Sequence, residues 1–513
     1  MLPEEMIAKL KKSIPPQWKV CFWSALTVGL FAHIYKLTNW LPNWDSLVFR
    51  YDPQNMLGLG RWFLPLACGV SSFYDLPWLN GLLAIMFHAL GAVCICRMFA
   101  VRKNITAALI GAMVISFPTV TSVMTYNYVA DGYALSFLLA CVAATCLTEE
   151  KPNYGAAVLL IALSVGIYQA YITVTIMLLL CWLIWQAVQS KADVKQTIAK
   201  SARLLVAGAL GMVLYYLVLN LLLRVTGIEL LEYQGIKGTL SLSELDLWAS
   251  LYTIKHSLLD FFFDLSGGWR AFHLINCVVI AASVAFYLYD VYKNKLSVSN
   301  LLLLAVWVLL LPIGASILAL VNSSLDYHNL MKMGFCVFYL FFLLQYERTQ
   351  WNTETLNRIK QWGILVVSVV LIFNQVIIAN VSYHKLHIAH EKSYGTLIRI
   401  ADRIEQTEDA ADCDQILVIG SLPQSQAYSA NVSLDMTGTT DGLILRADDE
   451  SVGQSVLCSA LNDYCGTNYR FLAGEEKNAL LQQITVENLG TWPDKRSVTV
   501  VNDVIVIKLG DET

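Results

Sequence analysis

Long apolar runs alternate with short polar ones as far as residue 382, and beyond it the pattern changes. Crossing about 30 Å of hydrocarbon takes roughly 20 helical residues with every backbone group paired. On that criterion eleven spans are predicted, at 20–38, 78–99, 104–121, 130–148, 154–172, 173–190, 202–223, 270–291, 299–321, 330–347 and 361–382. The fifth and sixth are nearly continuous, so a tight turn near Tyr171 must separate them. Between 224 and 269, Leu245, Trp248, Tyr252 and Leu259 recur at helical spacing behind Ser243-x-x-Asp246, which predicts a helix lying along the membrane surface. Before it, 233–239 contains two glycines and reads as a mobile loop.

After Tyr383 the periodicity becomes that of a small soluble domain. Residues 387–408 form an amphipathic helical pattern, Gln415–Gly420 a short buried strand, and Arg496–Lys508 a hairpin turning at Asn502-Asp503. The expected fold is mainly α, a polytopic transmembrane helix bundle over residues 1–385 followed by a small α/β domain over 386–513.

Composition sharpens this division. The 513 residues are 56% hydrophobic and 14% charged, with a mean hydropathy of +0.54, which excludes an ordinary soluble protein. The net charge of −4 divides unevenly, since residues 391–513 carry 9 Lys/Arg against 20 Asp/Glu. A domain that acidic repels phosphates, so no nucleic-acid partner is expected.

Lys9–Lys19, Arg97–Lys103, Lys151, Lys191–Arg203, Lys293–Lys295 and Arg348–Lys360 all fall on one side of an eleven-span topology. The positive-inside rule makes that side cytoplasmic together with the N-terminus, and puts the acidic domain outside. No small-residue cleavage site precedes the first apolar run, so that span is expected to be retained rather than cut as a signal peptide. Nine of the twelve cysteines lie among or beside apolar segments, where a thiol acts as a small hydrophobe. In an oxidising compartment Cys458 and Cys465 would be the pair to close a short disulfide loop, leaving Cys413 over.

The conspicuous polar island is Asn43-Trp44-Asp45-Ser46 through Arg61-Trp62, with Asp45, Arg50, Asp52 and Arg61. The same predicted face receives Tyr126, Asn127, Tyr128 and Asp131, then Tyr168, Gln169 and Tyr171, then Asp326, Tyr327, His328, Asn329 and Lys332. An aspartate there can take a proton from an attacking hydroxyl, and a neighbouring cation can hold a phosphate as it leaves. A lipid phosphate suits such a site, because its tail stays in the bilayer while its head reaches the loops. Each residue also has a plainer reading. Asp52 and Asp75 precede or approach prolines and fit turns, Arg61-Trp62 fits an interfacial anchor, and His33 and His88 fit packing inside spans. Asp131 falls just inside a span, where an ionisable group is costly and functional more often than elsewhere. No metal-ligand spacing and no glycine-rich phosphate loop is present.

The order Trp44-Asp45-Ser46-Leu47, Gly60-Arg61-Trp62, Asp131-Gly132-Tyr133-Ala134-Leu135-Ser136 and Tyr168-Gln169-Ala170-Tyr171 resembles the bacterial Gtr type II glucosyltransferase family of O-antigen modification, over roughly residues 15–380. The resemblance implies a GT-C-like membrane enzyme of the bacterial cytoplasmic membrane. Such an enzyme takes a sugar, here glucose, from undecaprenyl phosphate and transfers it to a hydroxyl of a surface glycan. It implies Asp45 as the catalytic base, with Asp52 as the substitute, and an inverting single displacement. Arg61 would hold the lipid phosphate, with Lys332, Arg270 and His328 as further candidates, and Tyr126, Asp131, Gln169, Tyr171 and Asp326 would line the sugar. No cofactor is implied, and metal-independent transfer is favoured, with a divalent metal still allowed.

Rival readings are a lipid-linked glycan flippase, an outer-face ligase or acyltransferase, and a non-catalytic scaffold. A flippase needs ionisable or broken-helix sites near mid-membrane, whereas here the central spans are nearly uncharged. A ligase would be expected to centre on a histidine such as His328.

Overall fold

Prolines and short polar caps cut the apolar sequence into helices. The computed structural model describes residues 2–510 except 50, 190–193, 232–245, 266–268, 324, 326, 349–352, 423–435, 440–449, 485, 487 and 488. Arg50, Asp326, the loop 233–239 and the Ser243 helix start lie outside the described residues. After α1 (Pro3–Ser13), α2 (Pro16–Thr38) starts on a proline. Two one-turn helices follow, α3 (Trp44–Val48) and α4 (Leu64–Cys68), and then α5 (Pro77–Met98), which again has proline in its first turn. Next come α6 (Asn104–Ser116), α7 (Pro118–Thr125), α8 (Asn127–Thr148), α9 (Tyr154–Ile167), α10 (Ile172–Gln189) and α11 (Val194–Thr226). The bundle is completed by α12 (Leu247–Phe263), α13 (Arg270–Asn294), α14 (Val298–Ala315), α15 (Leu318–Val321), α16 (Cys336–Leu343) and α17 (Glu354–Glu405).

Among the described residues, nine helices are long and apolar enough to cross a membrane. Each of the eleven expected spans has a helical counterpart, but two fall short alone. The third is broken between α6 and α7, bent by 42°, because Phe117 is held extended ahead of Pro118. The fifth, α9, has only 14 residues. The turn after it falls at extended Tyr168, followed by a 3-10 turn over Gln169–Tyr171. Farther on, Asp246 caps α12 through the backbone amides of Trp248 and Ala249.

α5 packs on α8 and α2, α2 on α6, α8 on α9, and α9 on α11. The histidines inside these spans are packing residues, as expected. His33 lies 2.8 Å from the Tyr383 hydroxyl and 3.0 Å from the Ile115 carbonyl, and His88 lies 2.8 Å from the Ala84 carbonyl.

α17 runs for 52 residues without interruption through residue 385. Its first half packs on α2, α6 and α13, while Leu397, Ile400 and Ile404 of its second half enter the core of the C-terminal domain. That domain has a four-stranded sheet of order β2-β1-β4-β3, where β1 is Gln415–Ile419, β2 Arg470–Phe471, β3 Val498–Val501 and β4 Val504–Lys508. β1 runs parallel to both neighbours, and β3–β4 is the expected hairpin, with Asn502 and Asp503 both left-handed at φ +49° and +59°. The anticipated Cys458–Cys465 disulfide is absent, and both thiols are free. Both residues sit on the helix Glu450–Cys465. Seven residues at 1.5 Å each put them about 10 Å apart, beyond the reach of a disulfide.

At the end of the bundle away from the polar island, Asp290 gathers two cations. It accepts from Gln345 Nε2 at 3.0 Å and pairs with Arg348, whose guanidinium lies 4.2 Å from the Trp185 ring centre. Lys360 donates to Gln345 Oε1 at 2.9 Å. Removing one member of a buried ion network costs roughly 3–5 kcal/mol, because the other charges stay buried without it. Asp290→Ala is therefore expected to lower the melting temperature in detergent by far more than Glu354→Ala, which breaks the exposed pair with Arg358.

Candidate active site

The 43–75 segment is anchored in the bundle at several points, with Tyr51, Leu66, Val70 and Tyr74 left exposed between them. Asn43 starts α3 by accepting from the Ser46 amide and hydroxyl, both at 3.0 Å. Leu47, on the same turn as Asp45, is buried with Leu397, Ile400 and Leu457 of the C-terminal domain. Farther along, Leu64, Ala67 and Cys68 of α4 are buried in the main core. Phe63 N donates to the Gly166 carbonyl at 2.8 Å. A Cβ on Gly132 would meet Cys68 Sγ at 2.9 Å, so α4 is wedged against α8.

Between α3 and α4 a 3-10 turn, Leu57–Leu59, ends at Gly60 in the left-handed region, φ +73°. This turn sends Arg61 and Trp62 in different directions. Trp62 stacks on Tyr215 and lies so close to Gly166 that a Cβ there would be 2.7 Å from its ring. Arg61 donates to the Tyr133 hydroxyl at 3.0 Å and lies over Tyr168, 4.8 Å from the ring centre. Tyr133 and Tyr168 are themselves stacked at 4.5 Å. Arg61 is thus a fixed cation facing the interior, and Trp62 packs against Tyr215 and Gly166.

Gln169 ties this turn to the bundle. Its amide donates to the Leu59 carbonyl at 2.7 Å and to the Tyr215 hydroxyl at 3.3 Å, and Tyr215 donates to the Gly60 carbonyl at 3.0 Å. Arg61, Tyr168, Gln169, Tyr215, Asn220 and Asn322 line a cavity of ≈ 150 Å³ whose remaining wall is apolar, including Met212, Leu219, Leu318 and Met331. The cavity therefore combines one cation and several neutral polar groups with an apolar wall.

Asp45 lies within electrostatic reach of Arg61, and Tyr128 within reach of both. Burial pushes the Asp45 carboxyl up to about 7, with the Arg61 guanidinium pulling in the opposite direction. A carboxyl poised there is a far better proton acceptor at neutral pH than an ordinary one. Asp52 instead makes a local turn, accepting from the Gln54 amide at 2.5 Å.

The other sequence candidates have different surroundings. Asp131 is fully buried and accepts from Gly132 N at 3.0 Å, and it does not line the cavity. The Tyr126 ring lies 6.5 Å from that of Tyr128, and the buried Tyr171 packs edge-on to Tyr168. The Lys332 ammonium sits 5.8 Å from the Phe261 ring centre, and His328 precedes the 3-10 segment Asn329–Phe335. Arg270 is exposed and donates to the Leu265 carbonyl at 3.2 Å. Asp75, read from sequence as a turn residue, is buried, accepting from Asn127 Nδ2 at 2.5 Å and Trp40 Nε1 at 3.3 Å. No group of three or more His, Cys, Asp or Glu is placed to hold a metal ion among the described residues.

Sequence reading missed two residues in particular. Tyr215 is an aromatic in an apolar span, and only its neighbour Tyr216 hinted at a polar face. Gln54 has no sequence signal at all, yet it is fully buried at φ +59° with neither side-chain amide atom hydrogen-bonded among the described residues.

Gly60 is the residue on which this geometry turns. A Cβ there would lie 2.6 Å from the Tyr215 hydroxyl and 2.8 Å from Gln169 Nε2, and a left-handed non-glycine residue costs about 1–2 kcal/mol by itself. Gly60→Ala is expected to lower the melting temperature in detergent, whereas Gly208→Ala, with nothing within 4 Å, leaves it unchanged or raises it.

Comparison with known proteins agrees with the polar motifs. The family model for Glucosyl transferase GtrII matches residues 34–345, which takes in α3, the Arg61 turn, Tyr133, Gln169 and the cavity walls. No curated protein and no solved structure matches the chain. This multi-pass helical bundle belongs to the GtrII glucosyl transferase family.

Proposed function

We propose that this chain moves glucose from an undecaprenyl-phosphate carrier to a hydroxyl of a surface glycan, at the outer face of the bacterial cytoplasmic membrane. The arrangement is read as GT-C-like, with the N-terminus inside and the C-terminal domain outside. One observation carries the reading: the Asp45 carboxyl, pushed up by burial, stands within electrostatic reach of Arg61, which lines a cavity with largely apolar walls. That pairing suits a substrate whose sugar and phosphate are polar and whose tail is hydrocarbon.

The reaction is a single inverting displacement. Asp45 takes the proton of the acceptor hydroxyl, the hydroxyl oxygen bonds to the anomeric carbon, and the bond from that carbon to the phosphate oxygen breaks. The electron pair leaves with polyprenyl phosphate, whose new charge meets Arg61. Phosphate is a fair leaving group, so no second carboxyl is needed as an acid. The reading requires no metal, because Arg61 supplies the charge. Family membership sets the flippase and ligase readings aside.

Asp45→Asn is expected to lower transfer by about 10²–10⁴-fold, measured as polyprenyl phosphate released from polyprenyl-phosphate glucose. Folding should survive, and above pH 7 the variant should be the more stable protein. The folded carboxyl is raised above its unfolded value, so keeping it ionised in its buried place costs stability as pH rises. Full activity in a folded Asp45→Asn protein would exclude Asp45 as the base.

The pH profile gives an independent check. The carboxyl must be ionised to accept a proton, so kcat/KM should rise through about 7, falling tenfold per unit on the acid side, instead of levelling off near 4 as for an ordinary carboxylate. In Arg61→Gln the remaining activity should have its acid limb moved upward, since the guanidinium is the group that lowers the carboxyl's affinity for protons.

A further inference from the structure

The C-terminal domain reaches the site from two directions. The first is Leu47, packed in that domain's own core two residues from Asp45. The second is a turn, Met436–Thr439, closed on itself by the Thr439 amide and hydroxyl, which donate to the Met436 carbonyl at 3.0 and 2.7 Å. Met436 is fully buried and belongs to the core of the membrane bundle. Thr125 at the end of α7 donates to the Thr437 carbonyl at 3.3 Å, and Asn329 N donates to Thr437 Oγ1 at 3.2 Å. The turn is thus seated between α7 and the Asn329–Phe335 segment.

Gly438 fixes how closely the turn is seated. It is left-handed at φ +87°, and a Cβ there would lie 2.0 Å from Thr125 Oγ1 and 2.8 Å from the Tyr126 ring. Tyr126 neighbours Tyr128, which is within reach of Asp45 and Arg61. The turn is therefore joined to the surroundings of Asp45 through Tyr126 and Tyr128, and it lies outside the Arg61 cavity, whose lining does not include it.

We infer that the Met436–Thr439 turn forms part of the acceptor subsite, the wall against which a hydrophilic glycan hydroxyl is placed for Asp45. The inference rests on the transferase reading above. The chemistry favours the acceptor over the donor: the donor's phosphate and tail match the Arg61 cavity, whereas the turn comes from the acidic domain and leaves its half-buried members Thr437 and Gly438 to an entering polyol, Thr439 being buried. The Thr437 hydroxyl accepts from Asn329 N and can donate its own proton to a sugar hydroxyl. The domain at residues 386–513 is on this account a specificity element, and Leu47 is a positioning residue that couples it to the base.

Two measurements on the full chain test this. With polyprenyl-phosphate glucose as donor and purified surface glycan as acceptor, Gly438→Ala should raise the acceptor KM tenfold or more while the donor KM stays within about twofold. Met436→Ala, which leaves the turn's backbone free to form, should give the same split more weakly, so a misfolded Gly438→Ala does not end the test. Equal losses for donor and acceptor, or no change for the acceptor in either variant, would overturn the inference. Independently of activity, Asn329→Cys with Thr437→Cys should form a disulfide in membranes, identified by peptide mass spectrometry. Failure to cross-link would show that the turn does not dock. A wild-type protein that never turns over the donor removes the transferase reading, and the acceptor role with it, whereas the cross-link depends on the turn alone.

Discussion

A guanidinium placed inside a membrane protein cannot shed its charge, so the chain around it must solvate it. Arg61 meets that requirement with the Tyr133 hydroxyl and the face of Tyr168, and much of the surrounding structure follows. The two tyrosines come from α8 and from the break after α9, so both must be held in register, which their stacking at 4.5 Å achieves. The turn that delivers Arg61 must approach Gln169 and Tyr215 more closely than any side chain allows, hence glycine at 60. Because α9 stops after 14 residues, Tyr168 and Gln169 have room to enter that crevice. A full-length span would have continued the helix through the positions they occupy.

The same constraint bears on Asp45. Close to a fixed cation an ordinary aspartate would be held ionised and weakly basic. Here burial outweighs Arg61 and pushes the carboxyl up to about 7. Burial comes from the loop being covered, with Leu47 drawn into the C-terminal domain and Ser46 held by Asn43. The basicity of this carboxyl is thus set by tertiary packing as much as by its charged neighbour.

That dependence explains what could be read in advance. Periodicity and length revealed the helices, since a span must satisfy its own backbone, and the β3–β4 hairpin was legible because Asn502-Asp503 tolerates left-handed geometry. Asp45 and Arg61 stood out as charges in an apolar chain. The inward fold of α4 did not, because a short run such as Leu64–Cys68 carries no signal that it will be buried between helices rather than lie at the surface. Asp131 and Asp75 show the same limit. Sequence marks a costly carboxylate, but only the fold shows that one accepts from the amide of its own neighbour Gly132 and the other from Asn127 and Trp40. Cys458 and Cys465 failed as a disulfide because proximity in sequence becomes separation along a helix.

A division into a membrane part and a soluble appendage fits the charge distribution better than it fits the packing. α17 crosses the proposed boundary as one helix, so bending between the parts would break backbone hydrogen bonds in its middle. Leu47 lies in the core of the acidic domain and Met436 in the core of the bundle, each part supplying a residue to the other's interior. Such reciprocal burial links the two stabilities: removing the domain would uncover apolar surface on α3 and empty a space beside α7. The polar island that carries Asp45 is therefore held between two cores, which fixes its carboxyl more firmly than a loop anchored at its ends alone.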